Sequence, residues 1–183
     1  MRPVINSTFV TLDGVVNHMD QWHFNFVDDD SDDLALRQLQ ASDALLMGRN
    51  TYDVYAATWP ARDGEYADGI NAMRKYVVST TLTEPTWQNT TVLRGDLLEQ
   101  VRKLKEEDGA AILMHGFGPV AKSLLGAGLL DELHLWYHPA FAGVGDSGDL
   151  LHTDGLSVGL RHLDTRVHSS GVVVLSYATV APS

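Results

Sequence analysis

The chain has no cysteine among its 183 residues. Disulfides, thiol nucleophiles and thiolate metal ligands are excluded with it. Positive charge is also scarce: 13 Lys and Arg stand against 24 Asp and Glu, a formal net charge of −11. A surface of that sign repels a phosphate backbone unless its cations are concentrated, and the sequence shows no Lys/Arg cluster, so no nucleic acid is expected as a partner. No apolar run approaches the roughly 18 residues a membrane helix needs. "MRPVINSTFV" lacks the apolar core of a secretory signal. No membrane role and a cytoplasmic location are expected. The remaining composition, 44% hydrophobic and 20% charged, is ordinary for a soluble globular chain, most simply one domain over 1–183.

Short apolar runs alternate with helical patterns. Val4 to Leu12, "DALLMG", "KYVVS", "NTTVLRG", "AAILMHG" and "DELHLWYHPAFAG" read as strands. Helices are expected after Asp32 or Asp33 as N-cap, over "RNTYDVYAATW" up to Pro60, over "DLLEQVRKLKEEDG" behind Asp96, and over "PVAKSLLGAGL". Val15 to Val27 and Ala61 to Asn71 read as loops. The end of the chain reads as a hairpin around Ser169-Ser170-Gly171. This pattern predicts an α/β fold with a mostly parallel mixed sheet and an antiparallel C-terminal hairpin.

Two strand-to-helix turns draw attention. "AILMHGFGPVAKSLL" places Gly116-x-Gly118 between a strand and a helix. It comes too late in the chain for a Rossmann fingerprint, and counting on about 20 residues reaches Trp136 in an apolar strand instead of an acid. Free amides at a helix start still suit a phosphate, with Phe117, Gly118 and Val120 as donors and Pro119 without one. A tight turn without a ligand is the alternative. "LLMGRNTYD" repeats the arrangement: Gly48 permits close approach, Arg49 offers a fork for phosphate oxygens, and Thr51 can donate. Two such cradles in one sheet suggest one extended ligand with phosphates in its middle.

The pairing resembles the dihydrofolate reductase-like superfamily, whose "MGRxT" turn and later glycine turn hold NADPH. It is most similar to the C-terminal reductase domain of bacterial riboflavin biosynthesis deaminase–reductases and their stand-alone relatives. "TLDGVV" resembles the S-x-D-G turn after the first strand, with Thr11 in place of serine. "KYVVSTTL" and "TTVLRGD" resemble the next two strands, and "HGFGPVAKSLLGAGLLDELHLWYHPAFAGVG" the later glycine turn, helix and glycine loop. "SSGVVVLSY" resembles the last hairpin. The resemblance implies a dihydrofolate reductase-like three-layer α/β/α fold and an NADPH-dependent reductase of a small heterocycle, similar to 5-amino-6-(5-phosphoribosylamino)uracil reductase. A pterin reductase and a non-catalytic NADP- or flavin-binding module are the alternatives. The resemblance also implies a homodimer, for which "LHLWYHPAFAG" offers an apolar contact.

Carried onto this sequence, the resemblance puts NADPH on Gly48, Arg49, Thr51, Gly116, Phe117, Gly118 and Val120. Ser79, Thr80 and Arg94 fall on its adenosine side, where Arg94 is otherwise a solvated arginine. Asp32 falls about where folate reductases carry their pterin-binding acid, although helix capping explains it as well. Asp13 is a candidate for substrate binding or proton handling, with an Asx turn as its alternative. Trp22, Tyr52 and Trp59 are candidates for an aromatic slot, or for packing. His134 and His138 lie four apart without further ligand spacing, so no metal is expected.

Overall fold

The short uninterrupted apolar runs form interior strands, because a parallel strand covered by helices on both sides has no solvent face. In this computed structural model, which describes residues 1–180, the strands are β1 (Val4–Thr11), β2 (Ser42–Gly48), β3 (Arg74–Val78), β4 (Thr90–Leu93), β5 (Ala111–His115), β6 (Glu132–His138), β7 (Gly159–Val167) and β8 (Val173–Val180). They make one sheet in the order β4-β3-β2-β5-β1-β6-β8-β7. The first six in that order are parallel; β8 and β7 pair antiparallel at the end, as the hairpin pattern predicts.

Helices cover both faces. On one, Leu46, Ile112, Met114 and Leu135 pack against α5 (Leu97–Glu106) through Val101 and Leu104, and against α6 (Pro119–Gly126) through Leu124 and Leu125. On the other, Leu45, Met47, Val77 and Leu113 meet Leu39 of α2 (Asp29–Gln40), Tyr52 of α3 (Arg49–Thr58) and Ile70 of α4 (Glu65–Ala72). The architecture is therefore α/β/α in three layers.

Three local expectations are corrected. Helix α2 starts before Asp32: Asp28 has extended backbone and its carboxylate accepts from Ser31 N, so it is the cap. Asp29, Asp30 and Asp32 then fill the first turn, where the helix dipole favours acids. The expected loop Ala61–Asn71 contains most of α4. Gly69 inside that helix hides the pattern, and a Cβ there would lie 2.9 Å from Leu39 Cδ2, so the glycine permits the close α2–α4 approach. The loop after β1 contains a short helix, α1 (Met19–Trp22), and a 3-10 turn over Phe24–Phe26.

Three of the scarce cations are buried near the N-terminal edge of the parallel strands. Arg2 pairs with Asp43 and Lys105 with Asp131, and Lys75 donates to the carbonyls of Asn71 and Gln88. Strand β6 lies inside the sheet between β1 and β8, with Leu133, Leu135, Trp136 and His138 buried; of the segment 133–143 it is the part after β6 that reaches the surface, where Phe141 is exposed. The exposed edge is β7, whose residues are all exposed. Among the described residues no helix is long and apolar enough to cross a membrane.

Candidate active site

β2 and β5 are neighbours in register, Leu46 beside Met114, so their C-terminal ends finish side by side. The turns that follow touch. A Cβ on Gly48 would lie 3.4 Å from Val120 Cγ2, and one on Gly116 3.6 Å from Thr51 Oγ1. Gly48 is the N-cap of α3 and Gly118 that of α6, and neither helix has a side-chain cap. By contrast, Asp28 and Asp96 cap α2 and α5. Helix α4 also begins on a glycine, but beside Gln40 at the far end of α2, which donates to Glu65. The starts of α3 and α6 thus offer uncapped amides and two positive dipole ends to one place, a combination suited to a diphosphate. Gly116 has φ +77 and needs to be glycine. β1 fixes its carbonyl: Asn6 Nδ2 donates to Gly116 O at 2.8 Å, and Thr8 Oγ1 donates to Asn6 Oδ1 at 2.9 Å.

The loop after β3 adjoins the α3 turn. Arg49 donates from Nε to both oxygens of Asp53 at 2.8 Å and from Nη1 to Thr81 Oγ1 at 3.3 Å. Both members of the Arg49–Asp53 pair are substantially exposed, so the pair contributes about 0–1 kcal/mol and the guanidinium can turn to a phosphate. Ser79 is committed to the loop, its Oγ accepting from the amides of Thr81 and Leu82. Thr80 is exposed, and its carbonyl and that of Leu82 accept from Arg94, which therefore braces this loop.

Asp13, in the loop after β1, accepts from the hydroxyl of Thr11 and the amides of Ala142 and Gly143. The Thr11 hydroxyl, then the Gly143 amide, lower its pKa to about 2. Asp13 thereby ties the loop after β1 to the glycine loop after β6. Val16 N donating to Asp149 O and Leu151 N donating to Gly14 O continue the stitching. On the α2/α3 side, His115 at the end of β5 meets Tyr55 at 2.9 Å, and burial lowers its pKa to about 4.

The expected aromatic slot does not form. The Tyr52 hydroxyl is buried and accepts from the amides of Thr86 and Trp87, which makes it a brace between α3 and the loop before β4. Trp59 packs with Tyr55 and Tyr66 at the far end of α3. Trp22 is buried, donating from Nε1 to Asn17 O, with its ring edge-on to His138. Asp32 is exposed in the first turn of α2, where it serves the helix start and does not meet either turn. His134 bonds Gln38 and Glu132, while His138 bonds His23 and the Trp136 carbonyl. A concavity of about 440 Å³ between α2 and α4, lined by Leu39, Asp43 and Glu65 among others, opens at the other end of α2 and is not this site.

The sequence model of the RibD C-terminal domain matches residues 2–174. The chain belongs to the RibD C-terminal domain family. It is 29% identical over 184 residues to the uncharacterized protein YyaP of Bacillus subtilis (strain 168), covering 96% of this chain and 94% of that one. It is similar in structure to a putative riboflavin biosynthesis protein from Shewanella sp. PV-4, at 21% identity and a TM-score of 0.70, over 98% of this chain and 99% of the other. Dihydrofolate reductase from Enterococcus faecalis, solved with NADP(H), has a TM-score of 0.64 at 16% identity, over 97% and 96% of the two chains. The fold is dihydrofolate reductase-like, and the family is one of oxidoreductases.

Within this RibD-type domain, several residues of the site escaped sequence reasoning. Asn6 and Thr8 are polar positions on the buried side of "VINSTFVT", and a polar residue at core spacing in a strand was the readable signal. Thr81, Tyr55 and the pair His23–His138 carry no such local sign, because their partners are distant in sequence, whereas the Arg49–Asp53 pair has a readable i,i+4 spacing.

Proposed function

We propose that this chain is an NADPH-dependent reductase of a small heterocycle, resembling the reductase that acts on 5-amino-6-(5-phosphoribosylamino)uracil. The observation that carries it is the contact between two uncapped helix-start turns at adjacent strand ends. NADPH fits these residues. The amides of Arg49 to Thr51 and of Phe117, Gly118 and Val120 would hold the diphosphate. The Arg49 fork and the Thr81 hydroxyl, beside Ser79, Thr80 and Arg94, would hold the extra phosphate of NADP. When bound, the cofactor supplies the hydride. The chain's residues do the rest: Asn6 holds the Gly116 turn, Asp13 clamps the two loops over the ends of β1 and β6, and the neutral His115–Tyr55 pair walls the α3 side. Asp13 acts in this reading as a loop anchor, its carboxylate being fully engaged. The same reading places the protein in the cytoplasm as one domain and as a homodimer, with the exposed β7 edge as the available contact surface.

Fluorescence titration with NADPH and NADH, followed by an NADPH oxidation assay on pyrimidine and pterin substrates, tests it. Arg49→Ala is expected to weaken NADPH about tenfold or more, the worth of a charge-assisted bond, and to leave NADH nearly unchanged. Equal losses for both cofactors would remove Arg49 from phosphate recognition.

A further inference from the structure

His23, just after α1, and His138, the last residue of β6, belong to neither cofactor turn, yet their rings meet. His23 Nδ1 lies 2.9 Å from His138 Nε2. His138 is buried, and its Nδ1 lies 2.9 Å from the carbonyl of Trp136. A carbonyl only accepts, so that nitrogen carries the proton. Burial disfavours the charged form of both rings, lowering the pKa of His23 to about 4 and moving His138 in the same direction. A neutral His138 protonated at Nδ1 presents only a lone pair at Nε2. His23 must then donate from Nδ1, and its own Nε2 is left as an unprotonated acceptor. The Trp136 carbonyl thus sets the tautomer of His23 through His138.

That acceptor has no protein partner among the described residues, and it is not sealed from solvent. The His23 ring stacks on Phe9 of β1, centroids 4.1 Å apart and planes 17° from parallel. Phe9 stands on the sheet face shared with His115, two residues beyond Ser7, which pairs with His115. Nδ1 of His23 meets His138 of β6, so Nε2, on the other side of the imidazole ring, is turned away from that strand. Two phenylalanines would fill this volume more cheaply than two imidazoles joined by one hydrogen bond. What the histidines add is an acceptor of fixed position and fixed protonation.

We propose that His23 contacts the substrate, its Nε2 accepting a hydrogen bond from a ring N–H or exocyclic amino group of a flat heterocycle, and that His138 is the positioning residue that fixes this tautomer. This rests on the reductase function proposed above. It gives the substrate class a requirement: an N–H donor on the edge presented to the end of β1.

The test uses the full chain saturated with NADP⁺, with 5-amino-6-ribosylaminouracil, its 5′-phosphate and 7,8-dihydrofolate as probes. In ¹⁵N-histidine-labelled protein at pH 7, His23 is expected as the Nδ1–H tautomer, and its Nε2 resonance should move when a probe binds. His23→Phe keeps the ring on Phe9 and is expected to weaken that probe about tenfold while leaving NADP⁺ binding within about twofold. His23→Gln, whose amide oxygen reaches the Nε2 position, should restore most of the loss. His138→Phe should mix the His23 tautomers and, in turnover assays with NADPH in place of NADP⁺, raise KM more than it lowers kcat, and His138→Gln should rescue, with melting curves confirming that both fold. The proposal is overturned if His23 carries its proton on Nε2, if His23→Phe binds the probe like the wild type, or if NADP⁺ binds and no probe does. Failure of NADP⁺ itself to bind removes the underlying function and this inference with it.

Discussion

Gly48 and Gly116 both follow strands, and they are glycines for different reasons. Gly116 has φ +77, so Gly116→Ala is expected to cost about 1–2 kcal/mol of stability from the backbone alone, read from urea denaturation. Gly48 has φ −79, which any residue adopts, and an added methyl would make ordinary contact with Val120. Gly48→Ala is therefore expected to leave stability within about 1 kcal/mol while weakening NADPH about tenfold or more, because the methyl enters the gap between the turns. An unchanged Kd would mean that the gap is not where the cofactor lies. Asn6→Ala removes the donor to the half-buried Gly116 O and the acceptor of buried Thr8, and should cost about 1–3 kcal/mol. The turn residues were legible in sequence because glycine, arginine and threonine beside a helix start have a local meaning. For Tyr52 the sequence leaves a substrate wall and packing both open, because the partners that decide for packing, the amides of Thr86 and Trp87, are more than thirty residues away.

Helix α2 shows how elements share work. Burial pushes the Asp28 carboxyl up, but hydrogen bonds from Ser31 and Ser170 outweigh it and hold the group well below the usual carboxylate range. The same carboxylate caps α2 and, through Ser169 Oγ and Ser170 N, fastens the β7–β8 turn to it. Asp28→Ala is expected to lower stability by about 1–2 kcal/mol, the range of a lost N-cap, and to increase amide exchange at Ser31 and Ser170 together. Exchange rising at Ser31 alone would show that the hairpin is held by other contacts. Strands were easier to place than helix starts here. An apolar run such as "AILMH" has few other uses, whereas the aspartates from Asp28 to Asp33 give a cap several possible positions and only the backbone selects Asp28. α4 was missed because its buried face amounts to Ala67 and Ile70, and Gly69 lowers its helical signal.

For the folded molecule as a whole, neutral histidines that are buried or half-buried give stability a pH dependence that begins well above the carboxylate range. His23 and His115 have pKa values lowered to about 4 by burial, and burial lowers His138 too. The unfolded chain binds these protons near pH 6.5 and the folded one does not, so stability falls as pH drops from about 6.5 towards 4. The urea midpoint should decline across that window and decline less in His115→Phe. A flat profile would mean that these rings are charged when folded. Asp13 acts lower: its pKa is about 2 when folded, so its contribution holds above about pH 4 and disappears as pH falls through 2.

The order of strands was not readable from local pattern. Parallel β5 between β1 and β2 is a long-range pairing, and it is this pairing that makes two turns, separated by more than sixty residues, into one cradle. An amide-resolved NMR titration of the full chain with NADP⁺ tests that claim most directly. The account predicts that the amides of Arg49, Thr51, Gly118 and Val120 shift together along one binding curve. Shifts confined to one turn, or to neither, would contradict it.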